Sequence, residues 1–268
     1  MNFFTKLEKA AAKNNSRLCI GLDPHPDKMP KGVTVAQFNR GIIEATSDLV
    51  CAYKPNLAFY EALGAEGYAA LKDTISAIPP GIPAIADAKR GDIGSTAAAY
   101  AKSIFEELGC SGVTVNPYMG YDSLKPFLDY KEKGVFILCR TSNPGSEDFQ
   151  TLKLEGEENR SLYQLVAHKA SKEWNVNGNI GLVVGATYPQ EIKLLRQRYP
   201  DLPLLIPGVG AQGGDLEAVV RYGADSRGGG IIINSSRQIL YASNEKDFAW
   251  AARKAAIALR DSINLSRS

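Results

Sequence analysis

The chain has 268 residues, 44% of them hydrophobic and 22% charged, with a formal net charge of +2. That balance suits a folded globular protein and supplies neither the basic stripe that nucleic acid requires nor a like-charge tail. Met1–Lys13 alternates apolar and charged residues too often for a signal peptide, and no apolar run reaches membrane-spanning length, so a cytoplasmic protein with no membrane partner is expected.

In chain order, Phe3–Lys13 reads as a helix ahead of the first strand. Eight short apolar runs follow, at Arg17–Leu22, Val50–Lys54, Pro83–Ala88, Gly112–Val115, Gly134–Cys139, Ile180–Val184, Pro203–Ile206 and Gly230–Ile233. Segments of helical spacing separate them, among them Ala36–Leu49, Tyr60–Ile78, Ser95–Leu108, Ser161–Trp174, Gln190–Arg198 and Leu216–Tyr222, and Lys246–Ile263 closes the chain. Strands alternating with helices indicate parallel βαβ units, and eight such units close a barrel. The pattern predicts one α/β domain over residues 1–268, a (β/α)8 TIM barrel with an extra N-terminal helix. An open doubly wound sheet is disfavoured, because no G-x-G-x-x-G follows the first strand.

Barrels of this kind carry their chemistry at the C-terminal strand ends. The first strand ends Gly21-Leu22-Asp23-Pro24 and the second Tyr53-Lys54-Pro55-Asn56, each placing one charge at the mouth. The third runs into D-A-K-R-G-D-I-G-S-T, Asp87–Thr96. Alternate strand residues share a face, so Ile85, Asp87 and Lys89 point one way and Ala84, Ala86 and Ala88 the other. With Asp92 just past the turn, Lys89 lies between two acids and stays protonated, which makes it a proton donor. Strand five ends Cys139-Arg140-Thr141-Ser142-Asn143, strand seven opens the glycine-rich run Pro207–Gly214 with Gln212 inside it, and strand eight ends Asn234-Ser235-Ser236-Arg237. Each reads as a ligand loop, and the last two together as a phosphate site of backbone N–H groups and a guanidinium. Cysteines 19, 51, 110 and 139 are far apart and read as buried reduced thiols; His25 and His168 do not form a metal-ligand pair.

Six of these stretches in order, G-L-D-P at 21–24, K-P-N at 54–56, D-A-K-R-G-D-I-G-S-T at 87–96, T-S-N-P-G at 141–145, P-G-V-G-A-Q-G-G-D at 207–215 and Ser236-Arg237, resemble the orotidine 5′-phosphate decarboxylase family, in its longer bacterial branch. The resemblance implies cofactor-free, metal-free decarboxylation of orotidine 5′-phosphate to UMP, the last step of pyrimidine nucleotide synthesis. It implies that Lys89 protonates C6, that Asp87 sits beside the departing carboxylate, and that Lys54 links Asp87 to the ribose, which Asp23 binds. Ser142 is implied to contact the pyrimidine, and Gln212 and Arg237 to grip the phosphate in the loop opened by Pro207. Asp92 and Thr96 are implied to enter the neighbouring subunit's site, making a homodimer with composite sites. The polar segment Asn143–Arg160 is expected to form a lid. Two alternatives stand beside this reading: a metal-dependent sugar-phosphate decarboxylase or aldolase of the same superfamily, which needs an acidic metal ligand on strand two where this chain has Lys54, and a non-catalytic nucleotide-binding barrel.

Overall fold

The computed structural model describes residues 1–156, 160–209 and 215–267. Its eight parallel strands are β1 (Leu18–Leu22), β2 (Ala52–Pro55), β3 (Ile85–Arg90), β4 (Gly112–Val115), β5 (Gly134–Arg140), β6 (Ile180–Val184), β7 (Leu204–Pro207) and β8 (Ile231–Ser235). They lie side by side in the order β2-β1-β8-β7-β6-β5-β4-β3. The two ends of that order meet: Tyr53 bridges Ala84 and Asn56 bridges Asp87, and the Tyr53 N–H donates to the Pro83 carbonyl at 3.1 Å. The sheet therefore closes into the expected barrel.

The period of two along each strand sorts the side chains into two cores. Cys19, Ala52, Ile85, Phe136, Val183, Leu205 and Ile232 fill the barrel interior. Their neighbours in sequence, such as Leu18, Ile20, Ala84, Ala86, Ile206 and Ile233, face the surrounding helices. The expected alternation at β3 is thus met, with Ile85 inside and Ala84 and Ala86 outside.

The interior is stoppered at one end by α1 (Phe3–Lys13), whose Phe3, Leu7 and Ala11 join the interior cluster. Asn2 caps the helix by accepting the Thr5 N–H at 2.9 Å. The Phe3 ring lies edge-on to Phe136 at 5.6 Å. It needs glycines beneath it, since a Cβ at Gly134 would come within 2.4 Å of the ring and one at Gly112 within 3.0 Å. Truncating Phe3, which is 2% exposed, would cost about 3–5 kcal/mol.

The outer helices are α2 (Val35–Thr46), α3 (Leu57–Glu61), α4 (Gly64–Ala77), α5 (Gly94–Lys102), α6 (Tyr121–Leu128), α7 (Leu162–His168), α8 (Pro189–Arg198), α9 (Leu216–Gly223), α10 (Arg237–Leu240) and α11 (Phe248–Ser266). Single π-helical turns at Ser103–Glu107 and Lys169–Glu173 extend α5 and α7 to about the predicted ends. The helix expected over Tyr60–Ile78 is instead two, α3 and α4, because Gly64 takes φ +64° and turns the chain between them. The sequence reading did not anticipate α6, which carries Pro126 in its interior, or α10, which is one turn long. The described part of the 143–160 segment is tied down: a 3-10 turn over Pro144–Asp148, a bridge between Lys153 and Ser161, and the Leu154 N–H on the Arg160 carbonyl at 2.9 Å. Among the described residues no helix is long and apolar enough to cross a membrane.

Candidate active site

The C-terminal ends of the strands surround a cavity of about 930 Å³. Its floor is apolar, formed by Leu138 of β5, Val183 of β6 and Leu205 of β7, the last interior layer before the mouth. Above that floor the side chains turn polar.

On the β2–β4 wall three charges converge. The Lys54 Nζ lies 2.5 Å from Asp87 Oδ2, and the Lys89 Nζ 2.6 Å from Asp87 Oδ1. Lys54 and Asp87 are buried, whereas the Lys89 side chain is 49% exposed toward the opening. Burial alone would raise the Asp87 carboxyl, but the two ammonium groups outweigh it and hold the acid well below the usual carboxylate range. Burial would likewise lower Lys54, yet Asp87 and Asp23 push it up to about 12. All of this fixes Asp87 as a carboxylate and Lys54 as a cation at neutral pH.

The backbone that presents Lys89 is not regular strand. On β3, Ala86 pairs with Val113 and Arg90 with Val115, so Asp87, Ala88 and Lys89 all stand opposite one β4 residue, Thr114. Lys89 adopts φ +46°, a conformation costing roughly 1–3 kcal/mol for a residue with a side chain. Thr114 absorbs the irregularity: its hydroxyl accepts the Lys89 N–H at 3.0 Å and donates to Asp87 Oδ1 at 2.9 Å.

The opposite wall, from β1, β7 and β8, carries Asp23, Pro207, Gly208, Asn234, Ser236 and Arg237. Here Asp23 Oδ1, Asn234 Oδ1 and Ser236 Oγ are buried without a hydrogen-bond partner, and the exposed Arg237 guanidinium forms no ion pair with a described residue. Unsatisfied buried acceptors are costly and call for a ligand or water. The loop after β1 is held to the end of α10 by the Tyr241 hydroxyl, which donates to the Asp23 carbonyl at 2.8 Å and accepts the His25 N–H at 2.7 Å. His25, extended, leads into the 3-10 turn over Pro26–Lys28 and packs against Phe59.

The sequence therefore located Lys54, Asp87, Lys89, Asp23, Ser142, Pro207 and Arg237, and the fold brings all seven to one cavity. Asp92 and Thr96 are not brought in: neither lines the cavity of its own chain, and Asp92 Oδ1 accepts the Ile93 N–H at 2.8 Å. Gln212 lies outside the described residues. Arg140, expected in a ligand loop, faces away because the β5–β6 register shifts between Leu138 and Arg140. It is buried against Glu191 Oε2 at 2.6 Å, the Ser146 hydroxyl and the Tyr188 ring, and so anchors the 143–160 segment at its root. Sequence reading placed Asn234 in a ligand loop but missed Thr114 and Gln150, the latter bracketing Thr141 with its side-chain amide at 2.8 and 2.9 Å. The signal for Thr114 was its place on the interior face of β4, two residues after Gly112. Among the described residues no three His, Cys, Asp or Glu side chains cluster as a metal site would require.

Residues 16–252 match the family model described as the orotidine 5′-phosphate decarboxylase / HUMPS family. The chain belongs to that family. Among its relatives, orotidine 5′-phosphate decarboxylase of Dehalococcoides mccartyi strain 195 is 57% identical over 266 residues, covering 98% of each chain. The Ralstonia pickettii protein of that name is 52% identical over 276 residues, covering all of both. In three dimensions the structure of Leishmania donovani OMP decarboxylase superposes with a TM-score of 0.88 at 45% identity, covering 100% of this chain and 99% of that one. All three of these relatives carry the decarboxylase name.

Proposed function

We propose that this chain, as one catalytic unit over residues 1–268, removes CO2 from orotidine 5′-phosphate to give UMP. The observation that carries the reading is the Lys54–Asp87–Lys89 array, held at 2.5 and 2.6 Å above an apolar floor in a member of this family.

Breaking the bond from C6 to the carboxylate leaves an electron pair in an sp² orbital that cannot spread into the ring π system. The barrier falls only if positive charge already stands where that pair develops, in a site from which water is excluded. Two lysines and one aspartate give the array a net charge of +1, which suits a substrate carboxylate. Lys89, the least buried of the three, is the group that can follow the reacting carbon. As CO2 departs, the electron pair on C6 takes a proton from the Lys89 ammonium, and the neutral amine regains one from solvent. Asp87 orients both ammonium groups and lies beside the departing carboxylate; repulsion between the two is relieved as CO2 leaves.

The other wall binds. Asp23 Oδ1, unpartnered in the cavity, accepts a ribose hydroxyl, and Ser142 and the floor of Leu138, Val183 and Leu205 take the pyrimidine. Arg237 grips the phosphate with the loop that Pro207 opens and that contains Gln212. The phosphate is remote from the bond that breaks, so its binding energy serves to close and desolvate the site.

Asp92 and Thr96 act in a second copy of the chain. Two observations support this: both are off their own cavity, and the segments after β3 and β4 expose the large apolar side chains of Ile93, Tyr100, Tyr118 and Met119, Tyr118 by 82%. A two-fold contact would cover these side chains and deliver each Asp92 to the partner's Lys89. Incubating the purified chain with orotidine 5′-phosphate tests the function: loss of the orotate absorbance with matching CO2 release is expected, and no turnover at any concentration overturns it.

A further inference from the structure

We propose that Thr114 is a positioning residue of the decarboxylation, setting the proton donor and its acidic partner with a single hydroxyl. The inference rests on the decarboxylase reading and adds to it a residue with no charge of its own.

Thr114 is the one β4 residue opposite Asp87, Ala88 and Lys89, and it is 1% exposed. A hydroxyl has one proton to give and two lone pairs to receive with, and here both capacities are used. The proton goes to Asp87 Oδ1 at 2.9 Å, and a lone pair accepts the Lys89 N–H at 3.0 Å. Asp87 Oδ1 is the same atom that holds the Lys89 ammonium at 2.6 Å. The lysine is therefore fixed at two points, its backbone and its ammonium, through one neighbour and one carboxylate. Its backbone needs that support, since φ +46° lies outside the region a lysine prefers and the regular ladder is broken across this stretch. Asp87 needs it as well. Its Oδ2 is tied to Lys54 at 2.5 Å, so the Thr114 bond to Oδ1 removes the remaining freedom of the carboxylate to rotate. Small displacements of a reacting group cost rate far more than they cost binding, because the reacting atoms must meet in a narrow geometry. Lys54 and Lys89 supply charge, and Thr114 supplies place.

Thr114→Val keeps the size and the β-branch and removes only the hydroxyl. We expect kcat for orotidine 5′-phosphate to fall about 10- to 100-fold, with the dissociation constant for UMP within about threefold of wild type and the thermal midpoint little changed. Thr114→Ser, which restores the hydroxyl without the methyl group, should recover kcat to within about threefold of wild type. A packing role predicts the reverse order, with Val better than Ser, and that order would overturn the proposal. So would a Val variant as fast as wild type, or one that loses UMP binding and kcat together. Should Val fail to fold, Thr114→Ala is read in the same way; if neither apolar variant folds, the hydroxyl is structural and the proposal falls. A wild-type chain that turns over no orotidine 5′-phosphate would refute the function itself, a result distinct from any of these.

Discussion

The two walls of the cavity are built on opposite plans. On the β2–β4 wall every polar atom of Lys54, Asp87 and Thr114 that faces a neighbour is engaged, at 2.5 to 3.0 Å, and none of these residues has a buried atom left unpartnered. On the β1–β8 wall, Asp23, Asn234 and Ser236 each keep a buried oxygen without a partner, and Arg237 is exposed. The first wall has satisfied itself and so holds its charges in fixed places before any ligand arrives, which is what electrostatic preorganisation demands. The second wall is incomplete by itself, and on the proposed reading it gains its hydrogen bonds from the substrate. The proposed function puts chemistry where the protein has removed freedom and recognition where it has left bonding capacity unused.

The largest effect expected from breaking this division is at Lys89. Lys89→Ala deletes the proton donor from the satisfied wall and leaves the binding wall intact, so kcat should fall by at least about a thousandfold while UMP binding changes little. Parallel losses in both would show that the two walls are not separable. The dimer reading sharpens the same division, because it adds Asp92 of the partner to the charged wall. Lys89→Ala and Asp92→Asn homodimers should each be nearly inactive. Random reassortment of the two makes about half the dimers mixed, each with one intact site, so about a quarter of wild-type activity should return. Mixed dimers that form and stay inactive would place Asp92 in its own chain's site.

On the binding wall the expected loss is smaller and of another kind. Arg237→Ala should cost roughly 3 kcal/mol or more in kcat/KM, as removal of one partner from a charge-assisted contact does. A change below about threefold would remove Arg237 from the phosphate site. The smallest effect is expected from chelation. Lys54 puts a cation on strand two, where an acidic ligand would be needed, so exhaustive chelator treatment should leave kcat unchanged. Activity that returns only with added Mg²⁺ would mean that the side chains of the charged wall do not supply the electrostatics alone.

Much of this was legible in the sequence. Period-two alternation placed Ile85 inside and Ala84 and Ala86 outside, because a strand between interior and helices must sort its side chains that way. Alternation and the strand-end rule likewise selected Asp23, Lys54, Asp87 and Arg237, since a closed parallel barrel points its last inward residues at one mouth, whereas Ser142 was singled out within its strand-end loop only by the family resemblance. What the sequence could not contain was register. That Thr114 faces three residues of β3, that Lys89 takes a left-handed backbone, and that Arg140 turns to Glu191 while Ser142 lines the cavity, all follow from how neighbouring strands slip against one another. Slippage is settled by pairing across strands that are tens of residues apart. The identities of the charged groups were therefore written in the chain by itself, and their exact partners, with the hydroxyl that steadies them, were decided only when the barrel closed.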